Sequence, residues 1–159
     1  MRRSILFCSL LLLLGSGVVN GQGIDRVLQA PACYGRSVAL GGVRLDLRGI
    51  YVYSGLLWLV FDATNRSSID FRAGSMGFAI RDRHVLRRRA RQEIRLSPVM
   101  RREKSILASD STVRFCYGLV PRTPSNKQEL VIEWGERNGD RRLQLRVRGS
   151  MLLKAKKLK

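Results

Sequence analysis

From residue 43 onward, apolar and polar positions mostly alternate. Val43, Leu45 and Leu47 alternate with Arg44, Asp46 and Arg48, the period of a strand with one buried face. The apolar phase then slips to Ile50 and Val52 with Gly49 at the slip, which predicts a β-bulge, and Ser54-Gly55 predicts a turn. Leu56 to Phe61 is apolar at every position, as in a strand covered on both sides. Asn65-Arg66-Ser67-Ser68 closes it in a turn. Further strands are predicted around Met76–Ile80, Gln92–Ser97, Thr112–Val120 and Leu130–Trp134, and from Leu143 to Arg148, where Leu143, Leu145 and Val147 alternate strictly with Arg142, Gln144, Arg146 and Arg148. Arg137-Asn138-Gly139-Asp140 between the last two carries the Asn-Gly hairpin signal. About seven strands at close spacing predict an all-β fold, an immunoglobulin-like β-sandwich spanning residues 39–159. Residues 22–38, broken by Pro31, read as a linker or accessory edge segment. The tail from Met151 reads as either a last strand or a helical turn.

The first 21 residues follow a different pattern. Arg2 and Arg3 precede an apolar run from Ile5 to Leu14, and small residues follow from Gly15 to Gly21. This is the layout of a secretory signal peptide, too short to span a membrane comfortably, so export to the periplasm is expected. Removing Cys8 with the leader leaves Cys33 and Cys116, and an oxidising compartment permits a bond between them. Closing so long a loop would contribute about 4–5 kcal/mol in the chain-entropy model. Two free thiols are the alternative, with Cys116 filling a gap on the strand face it shares with Arg114.

Charge narrows the partner classes. Of 159 residues, 24 are arginine and six lysine against 12 acidic residues, a net charge of +18. Arginine's planar fork suits phosphate and carboxylate, so nucleic acid, lipopolysaccharide phosphates, anionic lipid and acidic proteins all fit. An arginine-rich genome gives the same bias with no ligand. If the strands at 43–50, 113–119 and 143–148 adjoin in one sheet, Arg44, Arg48, Arg114, Arg146 and Arg148 share its outer face. With Arg142 they are the candidate partner- or polyanion-binding residues. Arg81 to Lys104 holds ten basic residues but no interleaved aromatics for bases to stack on, and reads as a solvated connection between strands.

The chemistry of catalysis is hard to assemble from this chain. His84 is the one histidine, and no nucleophile elbow, zinc set or phosphate-cradling loop accompanies it. Asp62, Asp70 and Asp82 fall at predicted strand ends, as turn residues, arginine partners or a loose calcium set. No enzyme, cofactor or metal site is expected.

Five segments carry a resemblance: Gly49-Ile50-Tyr51-Val52, Asn65-Arg66-Ser67-Ser68-Ile69-Asp70, Phe78-Ala79-Ile80-Arg81-Asp82, Arg89-Ala90-Arg91-Gln92-Glu93 and Glu136-Arg137-Asn138-Gly139. In this order and spacing, the region from about residue 40 to 157 resembles the C-terminal, DUF4138-like half of the conjugative-transposon TraN proteins. The resemblance implies a non-enzymatic, periplasmic, outer-membrane-associated component of a type IV-like transfer apparatus. Its partners would be other apparatus proteins at the outer membrane, and a ring of identical copies is compatible with that role. Transferring DNA or lipopolysaccharide is the alternative ligand. Three segments depart from the family pattern: Phe71-Arg72-Ala73-Gly74, Leu119-Val120-Pro121-Arg122 and Gly139-Asp140-Arg141-Arg142. The family's N-terminal half has no counterpart here.

Overall fold

The computed structural model describes residues 21–83 and 93–159. The leader, His84 and Arg87-Arg88-Arg89 lie outside the described residues. The chain runs α1 (Gly21–Gln29), β1 (Arg36–Leu40), β2 (Val43–Tyr53), β3 (Leu56–Asn65), β4 (Phe71–Arg72), β5 (Gly77–Asp82), β6 (Glu93–Leu96), β7 (Met100–Arg102), β8 (Ile106–Leu107), β9 (Ser111–Leu119), β10 (Gln128–Gly135), β11 (Arg142–Arg148), α2 (Gly149–Leu152) and β12 (Lys156–Lys157). One sheet has the order β1-β2-β3-β9-β7, with β12 added beside β2. The second has the order β11-β10-β5-β6, and β4 pairs with β8 separately. Setting β2, β3, β9 and β7 against β11, β10 and β5 reproduces the ABED and GFC sheets of an immunoglobulin-like sandwich, with β6 as an added outer strand. The tail supplies both predicted forms, a single helical turn and then a two-residue strand.

Local sequence accounts for the joints. The β2–β3 register shifts between Leu47 and Gly49, placing the predicted bulge at Arg48. A Cβ on Gly49 would lie 2.2 Å from the Tyr51 hydroxyl, so the ring of Tyr51 requires glycine there. Ser54 (φ 47°) and Gly55 (φ 74°) form the two-residue turn between β2 and β3, the I′ geometry that matches strand twist. Gly41 and Gly42 turn the chain the same way between β1 and β2. Residues 36–38, the end of the segment read as a linker or accessory edge segment, therefore belong to a hairpin arm at the sheet edge. The Asn-Gly expectation needs correction in detail: β10 and β11 do form a hairpin, but neither Asn138 nor Gly139 has positive φ. The Glu136 N–H bonds the Arg141 carbonyl at 2.9 Å, so four residues bridge the strands.

The sheets enclose one core. Leu45, Leu47, Leu59, Phe61, Phe115, Tyr117 and Leu119 face Leu130, Ile132, Trp134, Leu143, Leu145 and Val147, the inward set that alternation predicts. Phe61 and Phe115 stack at 5.5 Å, and Trp134 lies 5.5 Å from Phe115. A second cluster lies on the other side of β3, where Ile24, Val27 and Ala30 of the α1 region cover Tyr51, Trp58, Val60 and Cys116. This explains why β3 is apolar on both faces.

Most sheet edges are protected. β1 and β12 divide the outer edge of β2 between them, and β6 and β7 are only four and three residues long. β11, seven residues long, ends its sheet. No described helix is long and apolar enough to cross a membrane.

Candidate functional site

The predicted arginines divide between opposite faces. Arg44, Arg48 and Arg114 lie on β2 and β9, in the sheet containing β3. Arg142, Arg146 and Arg148 lie on β11 in the other sheet. The single shared face expected from the sequence is therefore corrected: β11 pairs with β10, and nothing in its own alternation reveals which sheet it joins.

On the first face, acidic neighbours absorb the positive charge. Arg44 bonds Asp46 at 2.9 and 3.0 Å. Asp62 receives Arg114 at 2.6 and 3.1 Å and lies 3.6 Å from Arg48. The Asp62 contact raises the pKa of Arg114. These three arginines act as an ion-paired lattice across β2, β3 and β9, with little free charge to offer.

The second face differs. Arg81 donates to Glu93 at 2.6 Å and to Glu133 at 2.9 Å, and that contact holds the Glu93 carboxyl below its usual range. Arg146 reaches Gln144 and, at 3.4 Å, Glu129. Arg142 and Arg148 carry no ion pair or side-chain hydrogen bond among the described residues. Beside Arg142 the sheet is hollow: an open trough of about 790 Å³ lies over Gly74, Gly77 and Gly135, walled by Ser75, Glu133, Arg137, Arg142 and Gln144.

At the rim of the trough stands a residue the sequence reading passed over. Arg141, only 17% exposed, bonds Glu136 through two nitrogens at 2.6 and 2.9 Å. It also bonds the Ser67 hydroxyl at 3.1 Å and the Asp70 carbonyl at 3.0 Å, and its guanidinium lies 5.2 Å from the Phe71 ring centre. Arg141 pulls the Glu136 carboxyl below its usual range and is itself shifted up. Asn65 completes this knot. Its amide donates to the carbonyls of Ile69 (2.9 Å) and Leu107 (3.2 Å), and its oxygen accepts from the Ser67 N–H and hydroxyl. Two of the segments that carry the family resemblance, 65–70 and 136–139, thus meet in space through Arg141. Every group here is partnered, so the knot organises this end of the sandwich and leaves the trough as the open feature beside it.

The disulfide expectation is corrected as well: Cys33 and Cys116 are both free. The Cys33 amide follows the outer edge of β2 by bonding the Arg48 carbonyl, while Cys116 is on β9. β2 and β3 stand between them, and strands spaced about 4.8 Å apart put the pair beyond disulfide reach. Burial pushes the Cys116 thiol up to about 12. Cys33 is exposed and its thiol points to the Ile50 carbonyl at 3.6 Å. The carboxylates noted as loose calcium ligands are dispersed. Asp62 serves arginines, Asp70 accepts the Ser109 N–H, and Asp82 accepts from Gln128. Among the described residues no group of three candidate ligands could hold a metal ion.

Fold and surface together define an immunoglobulin-like β-sandwich domain with a polar lattice on one outer face and a glycine-floored trough on the other. A family model described as a domain of unknown function, DUF4138, matches residues 37–157, and the chain belongs to that family. No curated protein and no solved structure matches the chain.

Proposed function

We propose that this protein is an exported, non-catalytic docking module of the TraN type, working at the outer membrane as a structural part of a conjugative, type IV-like transfer apparatus. The observation that carries the reading is β11, a seven-residue strand at the end of its sheet whose solvent side is Arg142, Gln144, Arg146 and Arg148. A terminal strand that β1 approaches without hydrogen-bonding it, and whose border keeps Arg142 and Arg148 unpaired among the described residues while Arg146 reaches Glu129, suits attachment to a neighbouring subunit. The family assignment and the ordered resemblance to TraN proteins supply the setting. The signal-peptide pattern at residues 1–21 supplies the compartment. The test is co-purification of the Arg146→Glu, Arg148→Glu double variant with the outer-membrane complex. Recruitment should fall sharply, and undiminished recruitment counts against the reading.

The second reading is non-specific binding of transferring DNA or lipopolysaccharide phosphates, favoured by the unpaired Arg142 and Arg148. Such binding would weaken steeply with added salt, because each neutralised phosphate releases counterions. A protein interface built on β-pairing would persist.

A further inference from the structure

The floor of the trough has no explanation in the fold itself. Gly77 lies opposite Glu133 across β5–β10 and Gly135 opposite Arg142 across β10–β11, so the two glycines are diagonal neighbours on one face, where glycine weakens a strand by forfeiting side-chain packing and backbone order. Neither has positive φ. A Cβ on Gly77 would meet nothing closer than 3.8 Å, and one on Gly135 would make an ordinary 3.4 Å contact with Arg142. Gly74 is different, since its Cβ would lie 3.0 Å from the Gly135 carbonyl. What the glycines at 77 and 135 do is keep the face hollow, as a strand does where another backbone approaches closely.

The walls specify what approaches. Glu133 is held by Arg81 and Gln144, and Glu136 by Arg141. The charges left unpaired around the trough are those of Arg137 and Arg142, since neither side chain has a bonded partner among the described residues. Ser75 and the side chain of Gln144 add polar contacts. The only aromatic residue in the lining, Trp134, is 4% exposed and packs inward on Phe71 and Phe115. No ring is thus presented for a base or sugar to stack on.

We infer that the trough binds an extended, carboxylate-bearing peptide segment of a partner protein. The segment's backbone would lie over Gly77 and Gly135, and its acidic side chains would pair with Arg137 and Arg142. This rests on the docking reading above and names the chemistry of the partner. The test is fluorescence anisotropy on the full chain with a blocked glutamate-rich hexapeptide and its glutamine twin. The glutamate peptide should bind and the glutamine twin should not. Gly77→Val fills the hollow with a residue suited to strands, and Arg142→Gln removes a charge-assisted contact. Each should weaken binding by about tenfold or more, while Arg122→Gln, on the 120–127 connection, should leave it unchanged. Wild-type affinity in a folded Gly77→Val protein would overturn the inference. So would equal loss in Arg122→Gln, or capture of oligothymidylate by the wild type and not by Gly77→Val. Peptide binding by a protein that never resides in a membrane complex would sink the docking reading and leave the trough assigned. Residence in the complex without peptide binding would do the reverse.

Discussion

Asn65 is fully buried, and both ends of its amide are in use, joining the end of β3 to the 67–70 turn and to β8. Asn65→Ala should therefore destabilise the protein by about 1–3 kcal/mol, the usual cost of stranding buried carbonyls. Asn65→Asp should cost at least as much, because it removes both donors and buries a charge; chemical unfolding of the two variants checks the order. Arg141 is the second keystone. Arg141→Ala should lower the unfolding midpoint by at least twice the loss seen for Arg44→Ala, whose side chain is 60% exposed. Arg141→Lys should recover only part, since a point charge cannot replace the two-pronged bond to Glu136. The depressed carboxyl of Glu136 also sets a pH dependence. Its contribution is complete above the unfolded value of about 4.3 and is lost as pH falls through the lower folded value. Midpoints measured from pH 7 down to about 3 should thus drop less steeply in Glu136→Gln than in the wild type. For the cysteines, a maleimide followed by peptide mapping should mark Cys33 in the native protein and Cys116 only after denaturation. The buried thiol is almost never ionised.

At the scale of elements, α1 is the piece most open to test. Ile24 and Val27 bury on Trp58 and Val60, worth about 3–6 kcal/mol for two such side chains. Asp25 pairs with Arg102, and the Tyr51 hydroxyl donates to the Pro31 carbonyl at 2.6 Å. Val27→Asp puts a carboxylate into this dry contact and should release the helix. The expected sign is a red shift in tryptophan emission as Trp58 meets water, with the β-sheet dichroism retained. Trp58→Ala, which hollows the same cluster, should cost about 3–5 kcal/mol. Legibility in the sequence followed these contacts. β10 and β11 could be read because one face is core and the other mostly water, which imposes period two; β2 and β9 keep that period where α1 does not cover them, and β3 is apolar because both faces are covered. β1 could not, since four of its five residues are exposed and only the Gly41-Gly42 pair betrays it. α1 offers just Ile24, Val27 and Leu28 at helical spacing, squeezed between the leader pattern and Pro31. β4 and β8 are two residues each, too short for any period. The trough was invisible for another reason. It arises where glycines from β5 and β10 come together, and that juxtaposition is fixed by pairing across more than fifty residues of chain.

Across the whole molecule, charge is distributed unevenly. Among the described residues, eight of the twelve carboxylates are in ion pairs with arginine, and cations still outnumber carboxylates there, which leaves a positive surplus without neutralising neighbours. Self-repulsion among them opposes compactness. Raising salt from about 10 mM to about 0.3 M should therefore raise the unfolding midpoint, because screening relieves more repulsion than attraction. A fall would mean that the lattice on β2, β3 and β9 dominates.

The lowermost end of the sandwich gathers both ends of the described chain. α1 leads in beside Tyr53, β12 leaves along Val52, and Arg26 bonds the carbonyl of Lys159 at 2.6 Å. The Arg141 knot and the hollow over Gly135 lie at the opposite pole, roughly 30 Å away along a ten-residue strand. A tether attached at either end of the described chain, near residue 21 or residue 159, would therefore hold the domain like a mast, with the cleft at the far end.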